Sequence, residues 1–180
     1  MQLTLLLAVV LVLLSVFFAT EPRACQEPGA PPLPPELKRL GSWVGTWDAE
    51  VTMMGQTSKG SEVCRLECGG NWLITEHTGT FMGMPFQGKG FTGFDAAKQS
   101  FTGVWIDSSG GPMSHYVDGS FSADGKRFIA HVDGADMEGK PARYEYVSSF
   151  PDARTRTFEV FTLAGEEREL QMSIRYARRD

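Results

Sequence analysis

The sequence has little from which a catalytic or metal centre could be built. Three histidines and three cysteines are spread over 180 residues. It contains no Gly-x-Ser-x-Gly elbow and no His-Glu-x-x-His helix, which sets aside the usual serine-hydrolase and zinc-protease constellations. Cys64 and Cys68 fall in one expected strand, on one face and about 13 Å apart at roughly 3.3 Å per residue, beyond the reach of a disulfide. With His77 added they still lack the paired spacing and the fourth ligand of a zinc site. Neither a metal nor a cofactor is expected. Basic charge is also scarce, 17 Lys and Arg against 22 Asp and Glu for a net charge of -5. No basic patch interleaves with aromatics, which argues against nucleic acid as a partner. The carboxylates on strands read as alternating outward onto solvated faces.

One glycine-rich stretch imitates a nucleotide-binding loop. In "GMPFQGKG", Gly83, Gly88 and Lys89 have the spacing of a phosphate loop. Such a loop also needs a hydroxyl after the lysine to hold magnesium, and a helix whose N-terminus faces the phosphates. Position 90 is glycine, and "FTGFDAAKQSFTGVWID" follows with the aromatics and turn residues of strands. The glycines therefore read as serving strands and turns.

What the sequence does have begins with an apolar run, Leu3 to Ala19, broken only by Thr4 and Ser15. Residues 1–24 read as a signal peptide or signal anchor, so the chain is expected to be exported, with a periplasmic, envelope-tethered or secreted destination. Residues 25–35 hold "CQEPGAPPLPP", a proline-rich tether of the extended, stiff kind. Membrane contact is expected through the N-terminal segment if it stays uncleaved, or through Cys25 if that residue is lipidated. The remaining stretch, 36–180, has the length of one ordinary domain with a real core.

A short helix is expected in "PPELKRLGSW", with Pro at its entry, Leu37 and Leu40 on one side and Gly41 to stop it. Strands follow. "GTWDAEVTM" sets Trp47, Ala49, Val51 and Met53 against Thr46, Asp48, Glu50 and Thr52, the alternation of a half-buried strand. The last segment opposes Leu170, Met172, Ile174 and Tyr176 to Glu169, Gln171, Ser173 and Arg175. Between them, runs are expected near 62–68, 72–81, 86–94, 100–106, 113–121, 127–132, 142–150 and 155–163, most of them separated by hairpin signals such as "DSSGGP", "SADGK", "DGADMEGK" and "LAGEE". About ten hairpin-linked strands make a long meander whose two edges vanish on closure. The expected fold is all-β, an antiparallel up-and-down barrel with a short N-terminal helix.

Function in such a barrel would lie with inward polar and aromatic groups. His77 shares a face with Leu73 and Phe81, and His115 with Met113, Val117 and Phe121, so both imidazoles are expected to point inward. A histidine on an apolar face is more often a hydrogen-bonded core residue than a ligand or base. Trp72, Phe81, Trp105, Tyr116, Phe128 and Tyr144 are the candidate lining residues, with ordinary core packing as the alternative for each.

The strings "LGSWVGTWDAEV", "GGNWLITEHTGTFMGMPFQGKGFTGFD", "FTGVWID" and "MSIRYARR" resemble, in order and spacing, a mainly bacterial domain of unknown function, family 1579. Its specific block spans Thr80 to Asp95 and includes Gly83, Pro85, Gly88, Gly90, Gly93 and Asp95. The resemblance implies a lipocalin-like, calycin-like barrel whose first strand opens on Gly-x-Trp, a part that Gly41 with Trp43, or Gly45 with Trp47, would fill. It carries over no catalytic residue. Haem-binding relatives of the ten-stranded calycin type use a histidine late in the chain, whereas the last one here is His131. Three functions are in view: a noncatalytic barrel holding a small apolar or amphipathic ligand, a filled barrel serving as a structural or protein-interaction module of the cell envelope, and, with least support, an enzyme built on His77 or His115.

Overall fold

In a computed structural model, residues 32–136, 138–165 and 167–180 are described. The expected leader, Cys25 and the tether up to residue 31 lie outside the described residues. Ten strands follow one another: β1 (Gly45–Met53), β2 (Gln56–Glu67), β3 (Trp72–Phe81), β4 (Met84–Asp95), β5 (Ser100–Asp107), β6 (Ser114–Phe121), β7 (Arg127–Ala135), β8 (Pro141–Ser149), β9 (Thr155–Ala164) and β10 (Glu167–Arg178). Each pairs antiparallel with its neighbours in sequence, and β1 also pairs with β10, so the sheet closes on itself as a lipocalin-like barrel. Closure pairs the first strand with the last, and the seam between β6 and β7 is the shortest, held by Ser120 with Ile129 and Phe121 with Phe128.

The hairpin between β1 and β2 shows why sequence patterns missed the start of β2. Its two-residue turn is Met54-Gly55, with φ of 51° and 72°. Turns of this kind need positive φ at both central positions and favour Asn-Gly or Asp-Gly. Methionine in that place hides the signal, so β2 begins at Gln56 rather than near Glu62. The β3–β4 turn repeats the device with Met82-Gly83, at 50° and 77°. The phosphate-loop look-alike is thus a hairpin and the strand after it, and Lys89 pairs with Glu76 on the outer wall.

One end of the barrel is plugged. Helix α1 (Pro35–Arg39) and the 3-10 turn after it bury Leu37 and Leu40, both apolar positions expected from the sequence. Trp43 follows, with ring centroids 5.5 Å from Phe121, 5.3 Å from Phe128 and 4.5 Å from Phe150, all edge-on. Phe101 completes this floor against Phe121 and Phe128. Edge-to-face stacks of this sort add directional attraction to the burial of large apolar area.

Of the two glycine–tryptophan pairs, Gly45 with Trp47 makes the close passage. A Cβ on Gly45 would lie 2.3 Å from Arg178 Nη1, whereas Gly41 has nothing within 4 Å. Arg178 donates to the Val44 carbonyl at 2.7 Å and lies with Cζ 4.3 Å from the centre of the Trp47 ring. Trp47 in turn donates its indole N–H to the Trp43 carbonyl at 2.7 Å. Together these groups close the plugged end around the first strand.

Register decides which residues face in, and it corrects several expectations. On β3 the inward set is Leu73, Thr75, His77, Gly79 and Phe81, so Trp72 is on the outer wall, 38% exposed and laid across the bare backbone of its partner Gly93. On β6 the pairing slips between Phe101↔Gly119 and Gly103↔Tyr116. That extra residue switches parity: Tyr116 faces in, while His115, Met113 and Val117 are exposed. A second irregularity on β10, between Leu170 and Met172, leaves Leu170 half exposed while Met172, Ile174 and Tyr176 face the interior. Such bulges re-aim side chains and cannot be seen in a period-two pattern.

Candidate functional site

The interior changes character along the barrel axis. At the plugged end the inward rings of Trp43, Trp47, Phe101, Phe128 and Phe150 are buried. Towards the open end, inward Phe81, Phe86, Trp105, Tyr146, Phe158 and Val160 are only half-buried, so the walls there do not meet. The hairpin tips at this mouth carry Met54, Met82 and Met84, each 63% exposed, with Met113 at 58% nearby. A cavity of 320 Å³ lies between the first two tips, lined among others by Val51, Met53, Ser58 and Phe81.

Glycines shape this half. Trp105 folds over Gly88 and Gly90, where a Cβ on Gly88 would lie 2.1 Å from the indole, and its N–H donates to Asp107 at 2.9 Å. Tyr116 likewise lies against Gly103 and shares a 2.7 Å hydrogen bond with Thr92; burial pushes its phenol up. Tyr144 stands nearer the rim, its hydroxyl donating to the Ala135 carbonyl at 2.9 Å. Asp95, at the plugged end of β4, caps the next turn by accepting from the backbone N–H groups of Ala97 and Lys98. Pro85 sits exposed at the start of β4, and Phe128 belongs to the floor.

Between floor and mouth lies a polar layer that was not anticipated. Glu62 is on the inward face of β2, 3% exposed, against the expectation that strand carboxylates are solvated. Its Oε1 accepts from Arg156 Nη2 and from the Cys64 thiol at 3.3 Å, and its Oε2 accepts from Tyr176 at 2.9 Å, with His77 Nδ1 3.7 Å away. Arg156 is also 3% exposed, with Cζ 3.8 Å from the centre of the Tyr176 ring and 5.2 Å from that of Trp47. The Nε of Arg156 is buried and finds no hydrogen-bond partner among the described residues. Cys68, by contrast, is exposed on the turn after β2, and both it and Cys64 are free thiols.

The electrostatics follow from these contacts. Burial by itself pushes the Glu62 carboxyl up, but the Arg156 charge, supported by His77 and Tyr176, outweighs it and holds the group at about 2. Cys64 moves the other way, pushed up to about 12 by burial and by the Glu62 charge. Burial and the same charge raise Tyr176 as well. At neutral pH these three are therefore a fixed carboxylate, thiol and phenol, none of them poised to exchange a proton. The layer offers fixed charge and hydrogen bonds.

Of the sequence candidates, the structure turns His77, Phe81, Trp105, Tyr116 and Tyr144 inward and leaves Trp72 and His115 outside. His77 Nε2 occupies the space left by two glycines, lying 2.8 Å from a Cβ placed on Gly60 and 3.3 Å from one on Gly79. Asp118, on the same strand as His115, bonds instead to His131 across the β6–β7 pair, at 2.7 Å to Nδ1 on the outer wall. Glu62 and Arg156 had one faint signal: each shares its parity with residues that turn inward, Cys64 in one case and Phe158 in the other. Val63, 39% exposed, points the apolar pattern of β2 the wrong way.

A closed antiparallel barrel of strands joined in sequence order is the up-and-down architecture that lipocalin-like proteins share. The model of a family described as proteins of unknown function, DUF1579, matches residues 34–178, and the chain belongs to that family. No match was found among curated proteins. Among solved structures, the chain is similar to Rv2717c from M. tuberculosis, with 14% identity, a TM-score of 0.57, and 83% of this chain and 100% of that one covered. It is also similar to the S-type phycobiliprotein lyase CPES from Guillardia theta, with 10% identity, a TM-score of 0.51, and 79% and 92% covered. At these identities the likeness concerns the fold.

Proposed function

We propose that the protein is an exported, noncatalytic barrel that takes a small apolar or amphipathic molecule through its mouth and holds it in the upper half of the interior. The observation that carries this reading is the contrast within one interior. The floor is closed by stacked aromatics, whereas the mouth half keeps half-buried aromatic walls and a 320 Å³ cavity. That volume is at the lower end of what small-molecule sites use, roughly 300–1,000 Å³. The leader, read from the apolar run Leu3 to Ala19, supplies the export. Native mass spectrometry of the protein, exported and purified from an envelope-bearing host, tests the reading. A reproducible extra mass, displaced by excess of a medium-chain alcohol, is expected. A clean unliganded mass, together with no binding of any decyl compound, overturns it.

The methionine rim favours a second reading. Met54, Met82, Met84 and Met113 form an adaptable apolar edge of the kind used at binding surfaces, as a structural or protein-interaction module of the envelope would require. Crosslinking from a photoreactive residue at position 54 that recovers one specific envelope protein, lost when Met82 and Met84 become serine, supports it. Equal recovery with the serine variant removes it.

A further inference from the structure

The seam between β6 and β7 is paired at one end only. Its two register pairs, Ser120 with Ile129 and Phe121 with Phe128, both lie towards the plugged end. Among the described residues no pair follows towards the mouth, although β6 extends to Ser114 and β7 to Ala135. The β9–β10 ladder, by contrast, reaches the rim at Ala164 with Glu167. The mouth half of the wall therefore carries a lengthwise slit that stops at the floor.

The bulge in β6 is the local cause. Val117 and Asp118 are consecutive and both exposed, so the strand changes face there, while Ala130 and Val132 of β7 keep their inward parity. Above the bulge β6 stays with its other neighbour, pairing Tyr116 with Gly103 and Ser114 with Trp105, and the Tyr116 hydroxyl reaches Thr92 on β4. On the far side β7 stays in register with β8 as far as Ala135 with Pro141. Each lip of the slit is thus fixed to its own side of the barrel.

Side chains hold the lips together. The Asp118 carboxylate accepts from the His131 backbone N–H at 2.8 Å, and its other oxygen lies 2.7 Å from the His131 Nδ1. Behind His131, Glu145 on β8 stands 3.7 Å from Nε2 and binds Arg168 at 2.6 Å. Inside the wall, the Tyr146 hydroxyl is 3.5 Å from Ser114 Oγ, longer than a firm bond between hydroxyls. A clasp between solvent-exposed groups contributes little stability, so it opens far more readily than a strand ladder.

We propose that this slit is an expansion joint: the mouth widens along it to take molecules broader than the resting interior, and Asp118 with His131 is the latch. The inference rests on the ligand-holding reading above. The resting cavity of 320 Å³ is near the lower end of small-molecule sites, roughly 300–1,000 Å³, so a broad ligand needs the walls to part.

A covalent bolt tests the joint. Asp118→Cys with His131→Cys places a disulfide across the slit, in full-length protein carrying Cys25→Ser and Cys68→Ser so that no other exposed thiol interferes. Decanol, slim and flexible, and progesterone, a rigid four-ring molecule, are titrated into the oxidised and reduced forms. Progesterone should bind the reduced form and lose at least about tenfold in affinity on oxidation, while decanol binds both forms alike. Relaxation-dispersion NMR of the wild-type protein should also show exchange at residues 114–118 and 130–135 and none along the β9–β10 ladder, rising in Asp118→Ala.

Progesterone that binds the oxidised form equally well, or binds neither form where decanol binds, overturns this inference and leaves the ligand-holding reading standing. Failure of progesterone and of every decyl compound to bind overturns both. Should the bridge not form, the dispersion measurement on the wild-type protein decides by itself, and flat profiles at both lips overturn the joint.

Discussion

The two ends of this barrel solve opposite problems with the same alternating strands. At the plugged end, Trp43 touches Phe121, Phe128 and Phe150, and the helix adds Leu37 and Leu40, so each inward position meets a partner and water is excluded. Towards the mouth, Gly60 and Gly79 make room for His77 and Gly88 and Gly90 for Trp105, and the inward aromatics nearest the rim stand half-buried. A protein interior is normally packed to crystal-like density, a rule that the floor meets with its buried rings and the mouth half does not. The buried ion pair marks the boundary between them.

The largest expected effect tests the floor. Trp43→Ala removes the ring on which three phenylalanines close, and should lower unfolding stability by about 3–5 kcal/mol in a denaturant titration. A loss below about 1 kcal/mol would mean that the plug is an accessory rather than the scaffold. The boundary layer comes next. Glu62→Gln leaves the Arg156 guanidinium buried without its counter-charge and should cost about 3 kcal/mol, near the lower figure for breaking such a pair.

The same carboxyl sets a pH window. Its folded value, about 2, lies below the ordinary 4.5, so the unfolded chain takes up the proton first. The stabilisation is present above about pH 4.5 and is lost as pH falls towards 2, by a few kcal/mol in all. Denaturant midpoints measured from pH 6 to pH 2 should fall more steeply for the wild-type protein than for Glu62→Gln. Parallel profiles would show that other acids dominate acid unfolding.

At the mouth the effects should be smaller. Phe81→Ala, at a half-buried ring bordering the cavity, should cost about 1 kcal/mol or less, because its surroundings are already open to solvent. A cost equal to that of Trp43→Ala would erase the difference between the two ends. Met82→Asn should act in the opposite direction. Met82 has φ of 50°, a left-handed conformation in which asparagine is far more at home, so the variant should gain up to about 1 kcal/mol. Such a gain would show that methionine at this tip is not the most stable choice, in keeping with a rim shaped by something other than stability.

Much of this architecture was legible beforehand. The alternation around Trp47 and Ala49 and the hairpin signals were enough to count ten strands and close them into a barrel, because side-chain parity is a local property of the backbone. The expected helix stop at Gly41 is not observed, since Gly41 lies within the 3-10 turn that carries the helix on to Ser42. The site was less legible. His77, expected to point inward, and Phe81, Trp105, Tyr116 and Tyr144, candidates for lining or core, do face the interior, whereas His115 and Trp72 lie on the outer wall. One bulge in β6 reverses parity for His115, and Trp72 is accommodated outside by a glycine on the neighbouring strand. The Met54-Gly55 turn concealed the true start of β2 and the tightness of its hairpin.

The sequence by itself determined the strands, their order, the closure of the sheet and the helix at its end, since each follows from short-range periodicity and turn chemistry. It could not determine that Glu62 meets Arg156, 94 residues away, or Tyr176, 114 residues away. A carboxylate on a strand is ordinarily solvated, and only an opposite charge brought close by barrel closure makes its burial tolerable. That encounter depends on register summed round the whole barrel, bulges included. It therefore belongs to the tertiary structure alone, and with it the burial of Glu62 and Arg156 inside the barrel.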